Sequence, residues 1–209
     1  MIEIRPVQSN DLDALYRIAL ATGDGAADAA ALYRDPKMIG HIYSAPYAVL
    51  CPDTVFIARD ATGVAGYIVG AADTLVFETR SEAEWWPALR AAYPDPVDVP
   101  RTDWTPDQRR AHMIHHPRRT PSEITDAYPS HLHINLLPRL RGQGVGQALM
   151  DRWLAAVWEI GSTGAHLAVG RANTRAVRFY LAYGFRELTW SPHPIMGAVW
   201  LGIASRHGV

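Results

Sequence analysis

In Leu136-Leu-Pro-Arg-Leu-Arg-Gly-Gln-Gly-Val-Gly146, alternate glycines at 142, 144 and 146 follow an apolar stretch and lead straight into a helical pattern. Glycine allows close backbone approach to a ligand, and the first amides of a helix have no intrahelical acceptor. The amides from Gln143 through Gln147, with Gly142 at the turn, therefore form a cradle for an anion. The helix dipole adds about half a positive charge there. A diphosphate suits such a cradle, and spacing decides which kind of phosphate site this is. A Walker loop requires Lys and then Ser or Thr after its last glycine, but Gly146 is followed by Gln147 and Ala148. The dinucleotide fingerprint requires glycine three positions after Gly144, where Gln147 stands. What remains is Arg-x-x-Gly-x-Gly, from Arg141 to Gly146.

Two histidine groups also carry chemistry. His131 and His133 alternate with Leu132 and Ile134, so both lie on one strand face, and both titrate near neutrality. His112 and His116 in His-Met-Ile-His-His have the helical i, i+4 spacing of a ligand pair. That run lacks the inner Glu of zinc proteases, Pro117 follows it, and no thiolate is close in sequence, so no metal is expected. Arg118-Arg119 reads as a solvated pair, and Trp85, Trp86 and Trp104 read as packing residues.

The elements that must position these groups follow from pattern. Ile2 and Ile4 alternate as in a strand, and Ser9 is placed to cap a helix bearing Leu12, Leu15, Ile18 and Ala19. After Gly23-Asp-Gly25, an Ala-rich second helix is expected to about Tyr33, and a short turn from Pro36 ends near His41. Val55 to Arg59 and Val64 to Gly70 form a hairpin across Asp60-Ala-Thr-Gly63. Residues 75–128 are an insertion over the core. From about Ser81 to Tyr128 it is broken by Pro94, Pro96, Pro100, Pro106, Pro117 and Pro121, and reads either as a surface excursion or as a lid. A strand from His131 to Leu137 precedes the glycines. Val145, Leu149, Trp153, Val157 and Ile160 share one face of the following helix, which Gly161 closes. Ala165 to Val169 is a strand, Asn173 caps a helix to Tyr183, Gly184 stops it, and Phe185 to Trp190 and Gly197 to Ile203 are strands. The order describes one α/β domain over residues 1–209, a mixed sheet with helices on both faces and the insertion before the fourth core strand.

With the strand-glycine-helix arrangement in place, Arg141 to Gly146 resembles the signature of the GNAT superfamily of acyl-CoA-dependent N-acetyltransferases. Asn173-Thr-Arg-Ala-Val-Arg-Phe-Tyr-Leu-Ala-Tyr-Gly-Phe185 resembles its second signature. Thr22-Gly-Asp24, Leu32-Tyr-Arg-Asp35, Ile39-Gly-His41 and Ala72-Asp-Thr74 are similar, more closely, to bacterial relatives of the acetyltransferase-like C-terminal domain of O-GlcNAcase. The resemblance implies a GNAT fold that binds acetyl-CoA through Leu136, Leu137, Arg141, Gly142, Gln143, Gly144, Val145, Gly146, Gln147, Asn173 and Tyr180. It implies transfer of acetyl to an amine, of a small molecule or of a protein lysine, by direct attack. Leu136 or Leu137 would offer the amide that polarises the thioester carbonyl, and Tyr180 would protonate the leaving thiolate. The stretch Tyr128-Pro-Ser-His-Leu-His-Ile-Asn135 lacks the strand carboxylate that many relatives use as base, which leaves His133, Asp24 and Asp73 as candidates. The same gap supports an alternative, a pseudo-acetyltransferase that binds acetyl-CoA and recognises a partner.

Bulk properties narrow the partners. A net charge of −1 over 209 residues gives no basic field for nucleic acid. Cys51 is the only cysteine, so no internal disulfide forms, and no signal-peptide pattern or membrane-length apolar run is present. A cytoplasmic protein is expected.

Overall fold

Strand β1 (Glu3–Pro6) opens the chain, and Arg5 at once pairs with Asp11, at 2.7 and 2.9 Å. The Asp11 carboxylate also accepts the Gln8 amide at 2.8 Å, so Asp11 rather than Ser9 organises the entry to helix α1 (Leu12–Ala21). The computed structural model describes residues 1–188 and 197–205.

The expected Ala-rich helix does not form. Gly25 and Ala26 both take positive φ, Asp24 and Ala27 bridge through their backbones, and Asp28 captures the Ala30 amide, each of which competes with helical bonding. Helix α2 (Met38–Tyr43) begins after Asp35 has taken the Lys37 amide, and runs past His41. A further helix not read from the sequence, α3 (Ala45–Leu50), starts with Pro46 in its first turn.

Strands β2 (Val55–Asp60) and β3 (Gly63–Ala71) form the expected hairpin, with Gly63 at φ 111° in its turn. Between β3 and the next sheet strand lie helices α4 (Thr74–Arg80), α5 (Trp86–Ala92), α6 (Pro106–His115) and α7 (Ser122–Thr125), with a π-turn over Ser81–Trp85. This segment is an ordered layer with its own small core of Trp86 and Ile114 against Met38 of α2. It is tied down by Trp85 Nε1 donating to the His41 carbonyl at 2.9 Å and by Tyr93 donating to Asp35.

Strand β4 (Ser130–Leu136), helix α8 (Val145–Glu159), strand β5 (Gly164–Gly170), helix α9 (Thr174–Tyr183) and strands β6 (Arg186–Glu187) and β7 (Ala198–Ala204) complete the fold. Of the expected strand from Phe185 to Trp190, Arg186–Glu187 forms β6, the Leu188 amide adds a bond to the Trp200 carbonyl of β7 at 2.9 Å, and Thr189 and Trp190 lie outside the described residues. Ile160 was expected on the buried face of α8 but lies beyond its end, 63% exposed, where Gly161 turns the chain at φ 91°.

The described strands make one mixed sheet in the order β1-β2-β3-β4-β5-β7-β6, antiparallel except for β4 with β5. Helix α8 covers one face. Trp153, fully buried, fits there because Gly70 offers no side chain: a Cβ at Gly70 would stand 2.5 Å from its indole. The Trp153 Nε1 donates to the Thr54 carbonyl at 3.0 Å. Leu15, Ile18 and Tyr47 from α1 and α3 fill the main core with the strands, and no described helix is long and apolar enough to cross a membrane.

Candidate active site

Strands β4 and β5 each run seven residues, yet they pair only at Ser130 with Ala165 and His131 with His166. Beyond those two positions the sheet opens in its middle. On the other side β4 stays paired with β3 through Leu136, and the Leu137 amide still donates to the Ala65 carbonyl at 2.8 Å. Backbone groups of an antiparallel strand alternate in direction, so the amides of Ile134 and Leu136 point away from β3, into the opening. Of the two amides expected to polarise a carbonyl, Leu137's is thus already bonded and Leu136's faces the cleft. Ile134, unnoticed in the sequence, offers a second amide, and only the alternation of the observed register reveals it.

The cleft has a volume of about 410 Å³, and Asn135, Leu136, Arg141, Gln147, Asn173 and Tyr180 are in its wall. Gly142, Gly144 and Gly146 line it as well. Gly142 and Gly144 lie at φ 74° and 75°, a region that costs other residues strain, and a Cβ at either would meet nothing within 4 Å. Gly144 is the N-cap of α8, and the first helical bond runs from Ala148 to the Gly144 carbonyl. The amides of Val145, Gly146 and Gln147 are left without helical acceptors at the mouth. The side chain of Val145 turns into the core, and Gln143 is an exposed residue whose side chain donates to the Arg139 carbonyl at 2.6 Å.

Arg141 is committed to scaffolding. Its Nε donates to the Leu136 carbonyl at 3.0 Å, and a terminal nitrogen donates to the Ala26 carbonyl at 2.8 Å. It thereby joins the end of β4 to the loop after α1. Burial and the neighbouring Arg175 push its pKa down. Arg175 lines the cleft and makes no ion pair among the described residues. Its position two residues after Asn173 was the only signal for it in the sequence. Two guanidinium groups beside free helix amides form a strongly anion-seeking surface.

Asn173 caps α9, its Oδ1 accepting the Ala176 amide at 3.1 Å, while remaining in the cleft wall. Tyr180 is buried between Phe179 and Phe185, with ring centroids at 5.4 and 5.6 Å. Burial pushes its phenol well above the ordinary value, and its hydroxyl bonds to none of the described residues.

The proposed bases lie elsewhere. His133 is packed against Tyr43 and Tyr47, each at 5.6 Å between centroids, on the face opposite α8. Burial, with the neighbouring His166, lowers its pKa to about 4. Asp73 is the N-cap of α4, its carboxylate accepting the Val76 amide at 2.9 Å. Asp24 is exposed in the loop that carries Ala26. No Asp or Glu is among the described residues lining the cleft.

Comparisons with known proteins agree with this geometry. Residues 119–187 match the family model described as an acetyltransferase (GNAT) domain. The crystal structure of SsHAT superposes with a TM-score of 0.88 at 35% identity, covering 97% of this chain and 98% of the other. The yncA protein of Salmonella typhimurium, solved with its cofactor acetyl-CoA, has the same fold at a TM-score of 0.55 and 12% identity, covering 100% of this chain and 96% of its own. An uncharacterized N-acetyltransferase of Archaeoglobus fulgidus is 42% identical over 52 residues. That match takes in 25% of this chain and 35% of the relative, so this chain spans about a third of that protein's length. The glycine loop, the parted strands and the near full-length likeness converge: the chain belongs to the GNAT family of acetyltransferases.

Proposed function

We propose that the protein is an N-acetyltransferase that binds acetyl-CoA in the opening between β4 and β5 and passes the acetyl group directly to an amine. One observation carries the reading: the two strands part after His131 at the point where the α8 amides come free. Gly142 and Gly144 leave room for a diphosphate against those amides, and Arg175 adds charge. The extended arm of the cosubstrate lies along β4, whose Ile134 and Leu136 amides take its polar groups and the thioester oxygen.

The amine nitrogen attacks the thioester carbonyl, a C–N bond forms, and the C–S bond breaks. Tyr180 gives its proton to the departing sulfur and regains one from solvent. A phenol shielded by burial keeps its proton until a thiolate forms beside it, which suits this role. The proton lost by the amine passes to water, since His133 with a pKa near 4 is a poor acceptor from an ammonium ion. A second reading, a binding module that holds acetyl-CoA without turning it over, is favoured by the absence of Asp or Glu from the described lining.

The four motifs shared with the O-GlcNAcase-related proteins support a place in that branch, and their residues mostly join layers. Thr22 accepts from Asn135, Gly40 packs on Tyr16, Tyr33 accepts from Arg110, and Thr74 donates to the Pro129 carbonyl. We read the chain as one domain over 1–209, with 75–128 laid over the core. A cytoplasmic setting fits the single Cys51.

Gly144→Asp tests the site by placing bulk and negative charge in the cradle. Calorimetric affinity for acetyl-CoA is expected to fall by more than about 100-fold, with the circular dichroism unchanged. Undiminished affinity rejects the assignment. Sustained transfer to an amine from a panel of small amines and lysine peptides separates enzyme from binding module.

A further inference from the structure

The His112-x-x-x-His116 pair plays no part in the acetyl-CoA cleft, and the fold supplies what the sequence did not show beside it. Asp95, from the turn after α5, brings its carboxylate to both rings. Its Oδ1 stands 3.2 Å from His112 Nδ1, and its Oδ2 stands 2.5 Å from His116 Nε2. The two imidazoles are 4.3 Å apart between centroids, and the three candidate ligand atoms lie within 4.8 Å of one another.

The surroundings favour a built site over an accidental meeting of side chains. Trp104 packs on the His112 ring at 4.7 Å and is itself fixed by donating to the Val99 carbonyl at 2.8 Å. Asp95 and His112 are mostly buried, and His116 is half exposed, which leaves one side open to water. The adjacent His115 is turned away, with its Nε2 on the Tyr93 carbonyl at 2.7 Å.

We propose that Asp95, His112 and His116 bind one divalent transition-metal ion of the zinc class, with water completing the coordination. Two imidazole nitrogens and a carboxylate oxygen are borderline donors that suit zinc, cobalt(II) or nickel(II). They lack the oxygen-only character that calcium and magnesium need and the thiolates that copper(I) prefers. Ligands about 2.1 Å from zinc stand roughly 3.4 Å from one another in a tetrahedron, so the histidine–carboxylate contacts open by less than about 1 Å to admit the ion. The bound ion joins the turn after α5 to the end of α6.

The hydrogen bonding adds a condition particular to this site. An Arg101 terminal nitrogen stands 3.2 Å from His112 Nε2, and a guanidinium only donates, so Nε2 accepts and Nδ1 carries the proton toward Asp95. An ion at Nδ1 moves that proton to Nε2, where it opposes Arg101. The exposed Arg101 side chain must then swing away, and so it weakens binding.

The test is titration of chelator-treated, tag-free protein with zinc by calorimetry, and with cobalt(II) by visible absorption. The expected result is one equivalent bound with a dissociation constant of about 10 μM or below, and a melting temperature that rises with free zinc. His116→Gln, at a half-exposed position, and Asp95→Asn should each weaken binding by more than about tenfold, His115→Gln should leave it unchanged, and Arg101→Ala should tighten it. Failure of the wild-type protein to saturate, or equal affinity in His116→Gln and Asp95→Asn, overturns the proposal.

Discussion

Tyr180 combines a buried ring, a hydroxyl with no partner among the described residues and a place in the cleft wall. In Tyr180→Phe the edge-to-face ring contacts survive and only the hydroxyl is lost, so kcat should fall by about 100-fold while KM for acetyl-CoA stays near the wild-type value. Burial raises the phenol's pKa, so in wild type this group contributes no alkaline limb to the kcat profile below about pH 10. A variant with wild-type kcat removes Tyr180 from the mechanism. At this scale the sequence was legible where type and backbone demand coincide: the glycines at positive φ, Asn173 at its cap and Gly184 at its stop. It was not legible for Arg175, whose role depends on α9 facing the α8 terminus, nor for Asp95, which meets His112 and His116 only through a turn.

Strands β4 and β5 bury a line of imidazoles. His131 accepts from the Tyr47 hydroxyl at Nε2, and its Nδ1–H donates to Thr74, whose own proton is committed to the Pro129 carbonyl. His166 donates from Nδ1 to the Tyr128 carbonyl at 2.6 Å. Burial comes first in lowering all three pKa values, to about 4 for His133 and His166 and well below the ordinary value for His131. In the unfolded chain these groups titrate near 6.5, so between pH 6.5 and 4 the unfolded state binds more protons. Their stabilising contribution is present above pH 6.5 and is lost as pH falls toward 4, on the order of 3 kcal/mol for each of His133 and His166. Urea midpoints at pH 7.5 and pH 5 should show that drop, and His133→Phe should reduce it; a midpoint constant over this range contradicts the burial argument. Alternation alone put His131 and His133 on one face. Which face, and what covers it, was decided by α2, α3 and α4, whose start points depend on side-chain captures of amides by residues such as Asp35 and Asp73.

Across the whole molecule, the fold class, the hairpin and the βαβα core followed from periodicity and punctuation. The layer between β3 and β4 did not, because its prolines mark breaks without saying what the pieces pack on. Its small core answers that, with Ile114 fully buried against Met38 and Trp86. Ile114→Ala should cost about 3 kcal/mol in this layer and speed proteolysis between residues 94 and 105, while leaving acetyl-CoA affinity intact. A matching loss of cofactor affinity would show that the layer and the cleft are coupled. The parting of β4 from β5 has a different kind of consequence. The donors it exposes at Ile134 and Leu136 belong to the main chain, and the Leu136 side chain points to α8. Replacing either residue with another apolar one changes packing but leaves the donor where it was, so these two groups of the cleft wall are the ones that inheritance can least easily erase.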